Sequence, residues 1–235
     1  MWLIATFAQT SLFSLKASHA TSSGGKSNLV PTMYSFKMAL IDAAFRSGLD
    51  GKKVFNLVKP LQISFRPPEK VVVNNSFVKI LREPKTPIPG QPYSHSVGYR
   101  EFVYYGSDLK IALGINEISD EDVEMLKCLL WHVNYLGKRG SFVQLKKVVR
   151  EENLSLEFSL VPGAETLEFS PDGVVQFLDD FGAGTKFDNI NSYGTGSVKL
   201  GKDRIFSLVM LPLRQKSSSR GYTLFESSIL GTSDY

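Results

Sequence analysis

The octapeptide Tyr135-Leu-Gly-Lys-Arg-Gly-Ser-Phe142 places two adjacent cations, Lys138 and Arg139, between two glycines. Glycine adopts positive φ readily and lets backbone N–H groups approach an anion closely. Paired cations beside such a turn favour a chain of phosphates. The octapeptide therefore predicts a phosphate-binding turn, and the local sequence leaves open the alternative of a solvated surface loop.

The segments around the octapeptide predict its place in the fold. Ser119 is a helix N-cap with an acidic first turn, and the apolar stripe that follows reaches Gly137. A strand is predicted directly after the octapeptide, over 141–149. The glycine-flanked cations therefore connect a helix to a strand.

The rest of the chain predicts a fold of the α+β class. Strands are predicted over 2–15, 54–65, 70–82 and 100–115, and a first helix over 32–46. The order strand, helix, two strands, helix, strand is that of a ferredoxin-like (RRM-like) domain, here 1–150. An arm over 83–98 contains four prolines, which exclude regular pairing. From 151 to 235 the chain predicts a β-rich C-terminal extension.

A second cationic glycine turn, Gly24-Gly-Lys-Ser27, lies near the N-terminus. With Ala20 in place of the first glycine, the surrounding residues match a loose phosphate-loop pattern. A true phosphate loop continues directly into a helix, however, and Pro31 would interrupt that helix. We therefore interpret Lys26 and Ser27 as contacts to a nucleic-acid backbone; a flexible loop and a nucleotide-binding phosphate loop remain alternatives.

The charge distribution favours a polyanionic ligand. Residues 1–100 carry 13 Lys and Arg against 4 Asp and Glu, whereas residues 151–235 carry 7 against 12. A basic N-terminal part and an acidic C-terminal part suggest that one face of the protein binds a polyanion and another contacts protein neighbours. The single cysteine, Cys128, allows no internal disulfide and fits a cytoplasmic protein. The N-terminal apolar stretch is too polar for a signal or a membrane span, so no membrane is expected.

Catalytic and metal-binding patterns are sparse. The three histidines, His19, His95 and His132, lack ligand spacing to one another or to the cysteine. His19, beside Lys16, or His95 is a candidate general base on an RNA 2′-hydroxyl. That chemistry defines an alternative function, a metal-independent endoribonuclease. The preferred interpretation has no catalytic residue, no metal, no cofactor and no small-molecule substrate.

Aromatic and cationic residues on the arm suit single-stranded RNA, because unpaired bases stack on aromatic rings while cations hold phosphates. Hairpin packing and solvated charge are the alternative for each residue. The predicted RNA-binding residues are Lys16, His19, Lys26, Ser27, Arg82, Lys85, Tyr93, Tyr99, Arg100, Lys138 and Arg139.

Three motifs in order carry a family resemblance. Val30-Pro-Thr32 opens the first helix, Tyr99-Arg-Glu-Phe-Val-Tyr-Tyr105 follows the arm, and the octapeptide follows the second helix. Together they resemble the repeat-associated mysterious protein (RAMP) superfamily of CRISPR systems. Within it they are similar to the Cas five-type subunit of a type I Cascade complex, and the resemblance covers roughly 1–150.

The resemblance implies a non-catalytic RNA-binding subunit that holds the 5′ handle of the crRNA and caps the backbone filament in antiviral defence. It implies as partners the crRNA and the backbone and large Cascade subunits, with target DNA reached only through the complex. The arm over 83–98 would be the family's thumb, and Lys138–Arg139 and Lys26–Ser27 fall at family positions. Some relatives cleave precursor RNA, which keeps the endoribonuclease alternative open.

Overall fold

The computed structural model describes residues 1–18, 20, 24–84, 86, 89–90, 92–160, 173–191 and 196–229. The fold is mixed α/β with antiparallel sheets. In chain order its elements are β1 (Trp2–Gln9), β2 (Gly24–Gly25), α1 (Met33–Arg46), α2 (Gly51–Val58), β3 (Ile63–Arg66), β4 (Lys70–Arg82), β5 (Ser94–Tyr105), β6 (Leu109–Gly114), α3 (Asp120–His132), β7 (Val143–Glu151), β8 (Val174–Phe181), α4 (Phe187–Ile190), β9 (Arg204–Leu211), β10 (Leu213–Ser218) and β11 (Tyr222–Ser227).

A four-stranded antiparallel sheet with the order β3-β6-β1-β7 supports the main core. Alternate residues of a strand point to opposite faces, so Leu3, Ala5 and Phe7 share one face of β1. The Phe7 ring meets Phe36 of α1 edge to face, with centroids 6.3 Å apart. The helices therefore cover this face of the sheet.

The predicted first helix is confirmed. Thr32 is its N-cap, and its hydroxyl accepts a hydrogen bond from the backbone N–H of Ser35 at 3.1 Å. The Ser35 hydroxyl in turn accepts from the Thr32 backbone N–H at 3.0 Å and completes a capping box. This cap fixes where the polar loop ends and the helix begins.

The opposite face of the sheet is closed over part of its area by the segment after β7. Phe158 packs on Ile4 and Ala112, and Leu154 lies against the same small cluster. Arg66 of β3 pairs with Glu157 at 2.5 Å and holds the segment across the sheet. The remaining part of this face carries polar and charged residues.

A second sheet has the order β10-β11-β4-β5-β2. Strands β4 and β5 form one long hairpin that runs from the pair Val71 and Tyr105 out to Arg82 and Ser94. The C-terminal strand β11 adds to β4, and β2 adds to β5 in parallel. Segments distant in sequence therefore meet along this hairpin.

Strands β8 and β9 form a two-stranded ribbon that packs on α1. Apolar residues of the ribbon, among them Leu178 and Val209, belong to the same core as residues of the N-terminal part. The division into domains at residue 150 stays a prediction. Among the described residues, no helix combines the length and the hydropathy needed to cross a bilayer.

The strand predicted over 54–65 is wrong for most of its length, because Gly51–Val58 forms the helix α2. The Asp50 side chain accepts hydrogen bonds from the backbone N–H groups of Lys52 and Lys53 and so caps this helix. The buried side chains of α2 recur at helical spacing. Only the end of the predicted strand is extended, as β3.

Three other predicted boundaries are displaced. The first strand, predicted over 2–15, ends at Gln9, after which backbone N–H groups bond to the octapeptide. The second helix ends at His132 rather than at Gly137, because the next residue already has extended backbone angles. The strand predicted over 100–115 is two strands separated by a turn.

The prediction of an irregular arm over 83–98 is wrong for the second part of that range. Ser94–Gly98 belongs to β5 and pairs regularly with β4, because all four prolines precede that stretch. The C-terminal part is rich in strands as predicted, except for the short helix α4.

Candidate nucleic-acid interface

An open pocket of about 620 Å³ lies between the β4–β5 hairpin, the N-terminal glycine turn and the β10–β11 turn. Its position follows from the sheet, because Gly24 and Gly25 pair in parallel with Tyr99 and Arg100. The pocket is lined by Gly25, Lys26, Asn75, Phe77, Tyr99, Arg100, Glu101, Arg220 and Gly221. Three predicted RNA-binding residues, Lys26, Tyr99 and Arg100, therefore come together here.

One wall of the pocket is an exposed aromatic pair. Phe77 and Tyr99 are directly paired residues of β4 and β5, so their side chains share one face of the hairpin. Their ring centroids lie 4.0 Å apart, and the residues are 65% and 50% exposed. Rings that remain in water on a strand face offer a surface on which an unpaired base stacks.

Gly25 is required for the opposite wall. A Cβ at this position would lie 2.8 Å from the Arg100 Nη1 atom and 2.9 Å from the Tyr99 carbonyl oxygen. Only glycine lets β2 approach β5 this closely. The Arg100 guanidinium donates to the Tyr99 carbonyl at 2.8 Å and lies along the wall rather than out in solvent.

Ser27 holds the glycine turn rather than a ligand. Its hydroxyl is buried and accepts from the Leu15 backbone N–H at 3.0 Å, while its own N–H donates to the Glu101 carboxylate at 2.7 Å. The backbone of Lys16 forms an isolated antiparallel β-bridge with Ser27. The side chains of Lys16 and Lys26 are both exposed. The two lysines therefore provide the exposed cations of this turn, and Ser27 orients it.

The octapeptide forms the tight turn that its glycines predict. Gly137 and Gly140 have φ of +74° and +98°, and the Ser141 N–H donates to the Lys138 carbonyl at 3.0 Å. A Cβ on Gly137 would lie 3.0 Å from the Leu15 side chain. The backbone N–H of Leu15 also donates to the Ser27 hydroxyl in the N-terminal glycine turn. Both glycine turns therefore contact Leu15.

Lys138 and Arg139 do not line the hairpin pocket. Both are exposed, and Arg139 contributes to a second pocket of about 570 Å³ beside α1, α2 and α4. Burial raises the pKa of the nearby Tyr135, the charge and hydrogen bond of Asp42 raise it further, and Arg139 opposes this.

The hairpin tip carries the remaining predicted residues. Arg82 is exposed at the last pair of the hairpin, where the Ser94 hydroxyl donates to its carbonyl at 3.2 Å. Tyr93 is also exposed and directly precedes β5. Lys85 and His19, also predicted to bind RNA, lie outside the described residues.

The phosphate-loop alternative for the N-terminal turn is wrong. Gly24–Gly25 is a strand, and no helix begins at Gly-Lys-Ser, because Thr32 caps α1 downstream. Of the described histidines, His95 is exposed on β5 and His132 lies on α3, so the two stand on separate elements. Among the described residues, no group of three or more His, Cys, Asp or Glu side chains is placed to hold a metal ion.

Three residues of the pocket were not predicted from the sequence: Asn75, Phe77 and Arg220. Phe77 enters through its register opposite Tyr99, whereas the sequence predicted a strand only from residue 100 and gave no register. Arg220 enters because β11 adds to β4, where the Asn75 N–H donates to the Gly221 carbonyl at 2.9 Å. No local pattern around the arginine predicts that pairing.

No protein-family model matches the chain. A curated protein of Archaeoglobus fulgidus, CRISPR-associated protein Cas5, is 24% identical over 221 residues, which cover 91% of this chain and 94% of that protein. A solved CRISPR protein from Archaeoglobus fulgidus is 13% identical with a TM-score of 0.47, over 96% of this chain and 91% of that one. A chain of a CRISPR RNA-guided surveillance complex is 14% identical with a TM-score of 0.48, over 98% of this chain and 92% of that one. The sequence similarity agrees with the resemblance carried by the three motifs: over nearly its whole length the chain is similar to a curated Cas5 protein.

Proposed function

We propose that the chain is the Cas5-type subunit of a CRISPR RNA-guided Cascade complex and holds the 5′ handle of the crRNA in the hairpin pocket. The similarity to Cas5 over nearly the full length supports the family role. The observation that carries the RNA site is the exposed Phe77–Tyr99 pair beside the cations Lys26, Arg100 and Arg220. Cytoplasmic location belongs to the same proposal.

The fold interpretation belongs to this proposal as well. The order β7-β1-β6-β3 corresponds to strands four, one, three and two of a ferredoxin-like domain, with α1 and α3 in the helix positions. The β4–β5 hairpin is then an insertion between the second and third strands, where the family's thumb is expected. Its length and exposed outer half support that assignment.

The pocket offers the contacts that unpaired RNA requires. A base stacks on the ring of Phe77 or Tyr99, and such stacking contributes about 1–3 kcal/mol per base. Lys26 and Arg220, both exposed, meet the flanking phosphates from the two turns at the pocket rim. Asn75 and Glu101 supply hydrogen-bonding groups for base edges.

The proposed role is non-catalytic. Cleavage beside a 2′-hydroxyl requires a general base within hydrogen-bond reach of it. Among the described residues that line the pocket there is no histidine, and the only carboxylate, Glu101, accepts a hydrogen bond from the Ser27 N–H. We therefore propose that the pocket binds RNA without cutting it.

Co-expression of the chain with a CRISPR array and its neighbouring Cas proteins tests the proposal. We expect purified complexes to contain small RNA with one common 5′ end, and we expect Lys26→Glu with Arg220→Glu to lose it. The control is Lys53→Glu with Lys199→Glu, two exposed lysines outside the hairpin pocket with the same change of net charge. Complexes without RNA, or repeat RNA cleaved by the purified chain in EDTA, would contradict the proposal.

A further inference from the structure

A row of cationic side chains crosses the four-stranded sheet on the face opposite the helices. Register pairs Arg66 of β3 with Lys110 of β6, Lys110 with Thr6 of β1, and Thr6 with Lys147 of β7. Directly paired residues project to the same face of a sheet. Thr6 lies two residues from Ile4, whose side chain contacts Phe158, so the row shares the face that Phe158 partly covers.

Two cations of this row have no compensating charge among the described residues. Arg66 pairs with Glu157 at 2.5 Å, and the neighbouring Lys146 pairs with Asp108 at 2.8 Å. Lys110 and Lys147 make no ion pair with any residue that the structure describes. Lys147 is exposed and Lys110 partly exposed, one on each side of Thr6.

The covering segment separates the two halves of this face. Leu154 and Phe158 close over the apolar half, where Ile4 and Ala112 lie. An ion pair between Glu157 of this segment and Arg66 links the segment to one end of the cationic row. This segment therefore buries apolar surface, while Lys147 stays exposed and Lys110 partly exposed.

The spacing of the lysines favours an extended anion. They stand on strands two apart, so their backbones are separated by about 10 Å, twice the spacing of neighbouring strands. One phosphate or carboxylate meets one of them, whereas a phosphodiester chain presents repeated charges to both. Thr6 between them adds a hydroxyl donor of the kind that contacts phosphate oxygens.

The same row is poorly suited to an acidic protein partner. Protein interfaces surround an apolar core with a polar rim. The positions between and beside the lysines in this row are Thr6 and Arg66, and the apolar residues nearby are already covered by the chain itself. Backbone phosphates need only cations and hydrogen-bond donors, which the row supplies.

We propose that the row Lys110–Thr6–Lys147 is a second nucleic-acid surface, separate from the hairpin pocket, that binds the phosphate backbone of a single strand. The surface goes beyond the proposed function and does not depend on it. Single-stranded RNA and single-stranded DNA share this phosphate backbone, and the experiment below distinguishes between them.

Binding of unstructured oligouridylate and oligothymidylate of equal length to the full chain tests the surface. We expect Lys110→Glu with Lys147→Glu to weaken binding about tenfold and to lower the salt slope by about 1.4, since each of two phosphate contacts contributes about 0.7 for single strands. The control, Lys53→Glu with Lys199→Glu, should bind as wild type, because both lysines are exposed and line neither pocket. Lys26→Glu with Arg220→Glu reports separately on the hairpin pocket.

A photoreactive residue in place of Thr6 provides a readout that leaves both lysines intact. We expect it to capture the oligonucleotides, and preferential capture of RNA or of DNA identifies the natural strand. Lys110→Gln with Lys147→Gln should show a smaller loss in the same direction, with unchanged thermal unfolding. The proposal would be overturned if the Lys110→Glu with Lys147→Glu variant and the Lys110→Gln with Lys147→Gln variant both bound as wild type. Capture of polyglutamate in preference to either oligonucleotide would also overturn it.

Discussion

Phe77 and Tyr99 stand opposite each other on β4 and β5 with ring centroids 4.0 Å apart, and both rings remain exposed. An exposed aromatic pair is costly to leave in water unless something covers it. The pair lies in a pocket that also contains Lys26, Arg100 and Arg220. Rings flanked by cations are the surface on which unpaired nucleotides are held.

Loss of the aromatic pair should weaken binding of crRNA handle RNA. We expect Tyr99→Ala to cost about 1–3 kcal/mol, with a comparable cost for Phe77→Ala, because each ring stacks a base. Fluorescence anisotropy with a labelled handle oligonucleotide measures the change. The salt dependence should be unaffected, because no phosphate contact is removed.

Tyr104→Ala is the matched control for the aromatic pair. Tyr104 lies on the same strand, is 51% exposed, and points to the opposite face of the hairpin. We expect this variant to bind as wild type. Equal losses for Tyr99→Ala and Tyr104→Ala would mean that the strand as a whole, and not the stacking face, governs affinity.

The octapeptide turn makes a different prediction. We expect Lys138→Glu with Arg139→Glu to weaken handle binding without abolishing it while the fold survives, because both side chains are exposed cations outside the hairpin pocket. Filter binding and thermal unfolding measure the two effects. Unchanged affinity in a folded double variant would show that the octapeptide is not part of the RNA path.

Single substitutions distinguish the two cations. Burial and the nearby Asp42 raise the pKa of Tyr135, and the positive charge of Arg139 lowers it. We therefore expect Arg139→Gln to move the pKa of Tyr135 further up and Lys138→Gln to leave it unchanged. NMR titration of labelled tyrosine rings follows this shift without any RNA present.

An ion pair between Lys37 and Asp180 connects α1 to β8. The Lys37 ammonium is almost fully buried, lies 2.8 Å from the Asp180 carboxylate, and donates to the Lys59 carbonyl at 3.0 Å. Burial lowers the pKa of Lys37 and raises that of Asp180, each against the attraction of its partner. Desolvation therefore outweighs the attraction for each group.

We expect Asp180→Asn to lower the free energy of unfolding by about 3–5 kcal/mol, because it leaves a buried ammonium without its counter-charge. The double variant Lys37→Met with Asp180→Leu should recover most of that loss. Urea unfolding of wild type, Lys37→Met, Asp180→Leu and the double variant forms a closed cycle that measures the coupling. Lys216→Gln, which breaks the more exposed pair with Glu226, should cost at most about 1 kcal/mol.

Local sequence predicted the parts of this fold that local chemistry determines. The Val30-Pro-Thr32 opening located the first helix, and the glycines of the octapeptide located a turn with positive φ. The helix α2 was missed although Asp50 provides a recognisable N-cap, because its apolar residues also fit a short strand. A short amphipathic segment is ambiguous until its hydrogen bonds are known.

The candidate site was predictable only in part, because its residues meet through pairing between distant segments. Lys26, Tyr99 and Arg100 were identified individually, but their contact depends on the parallel pairing of β2 with β5. Arg220 joins them only after β11 adds to β4. The residues adjacent to the site do not determine either strand pairing. Both pairings become known only when the whole sheet is seen.

Tyr105 ties the core of the hairpin to the loop that carries the N-terminal glycine turn. Its hydroxyl donates to the Leu29 carbonyl at 2.8 Å, and its ring stacks on Phe13 with centroids 5.9 Å apart. The residue is fully inside the core, and burial raises the pKa of Tyr105 well above 10.0. The neutral phenol is therefore the form that the folded protein requires.

We expect Tyr105→Phe to lower the free energy of unfolding by about 1–3 kcal/mol near neutral pH, because a buried carbonyl loses its donor. Since the folded pKa of Tyr105 is raised above its unfolded value of about 10, this contribution is fully present below pH 10 and is lost as pH rises toward the folded pKa. The stability difference between wild type and Tyr105→Phe should therefore shrink in alkaline solution, as measured by urea unfolding at a series of pH values. The exposed neighbour Tyr104, changed to Phe, should show no difference at any pH, and a wild-type advantage that persists unchanged far above pH 10 would show that the buried hydroxyl is not its source.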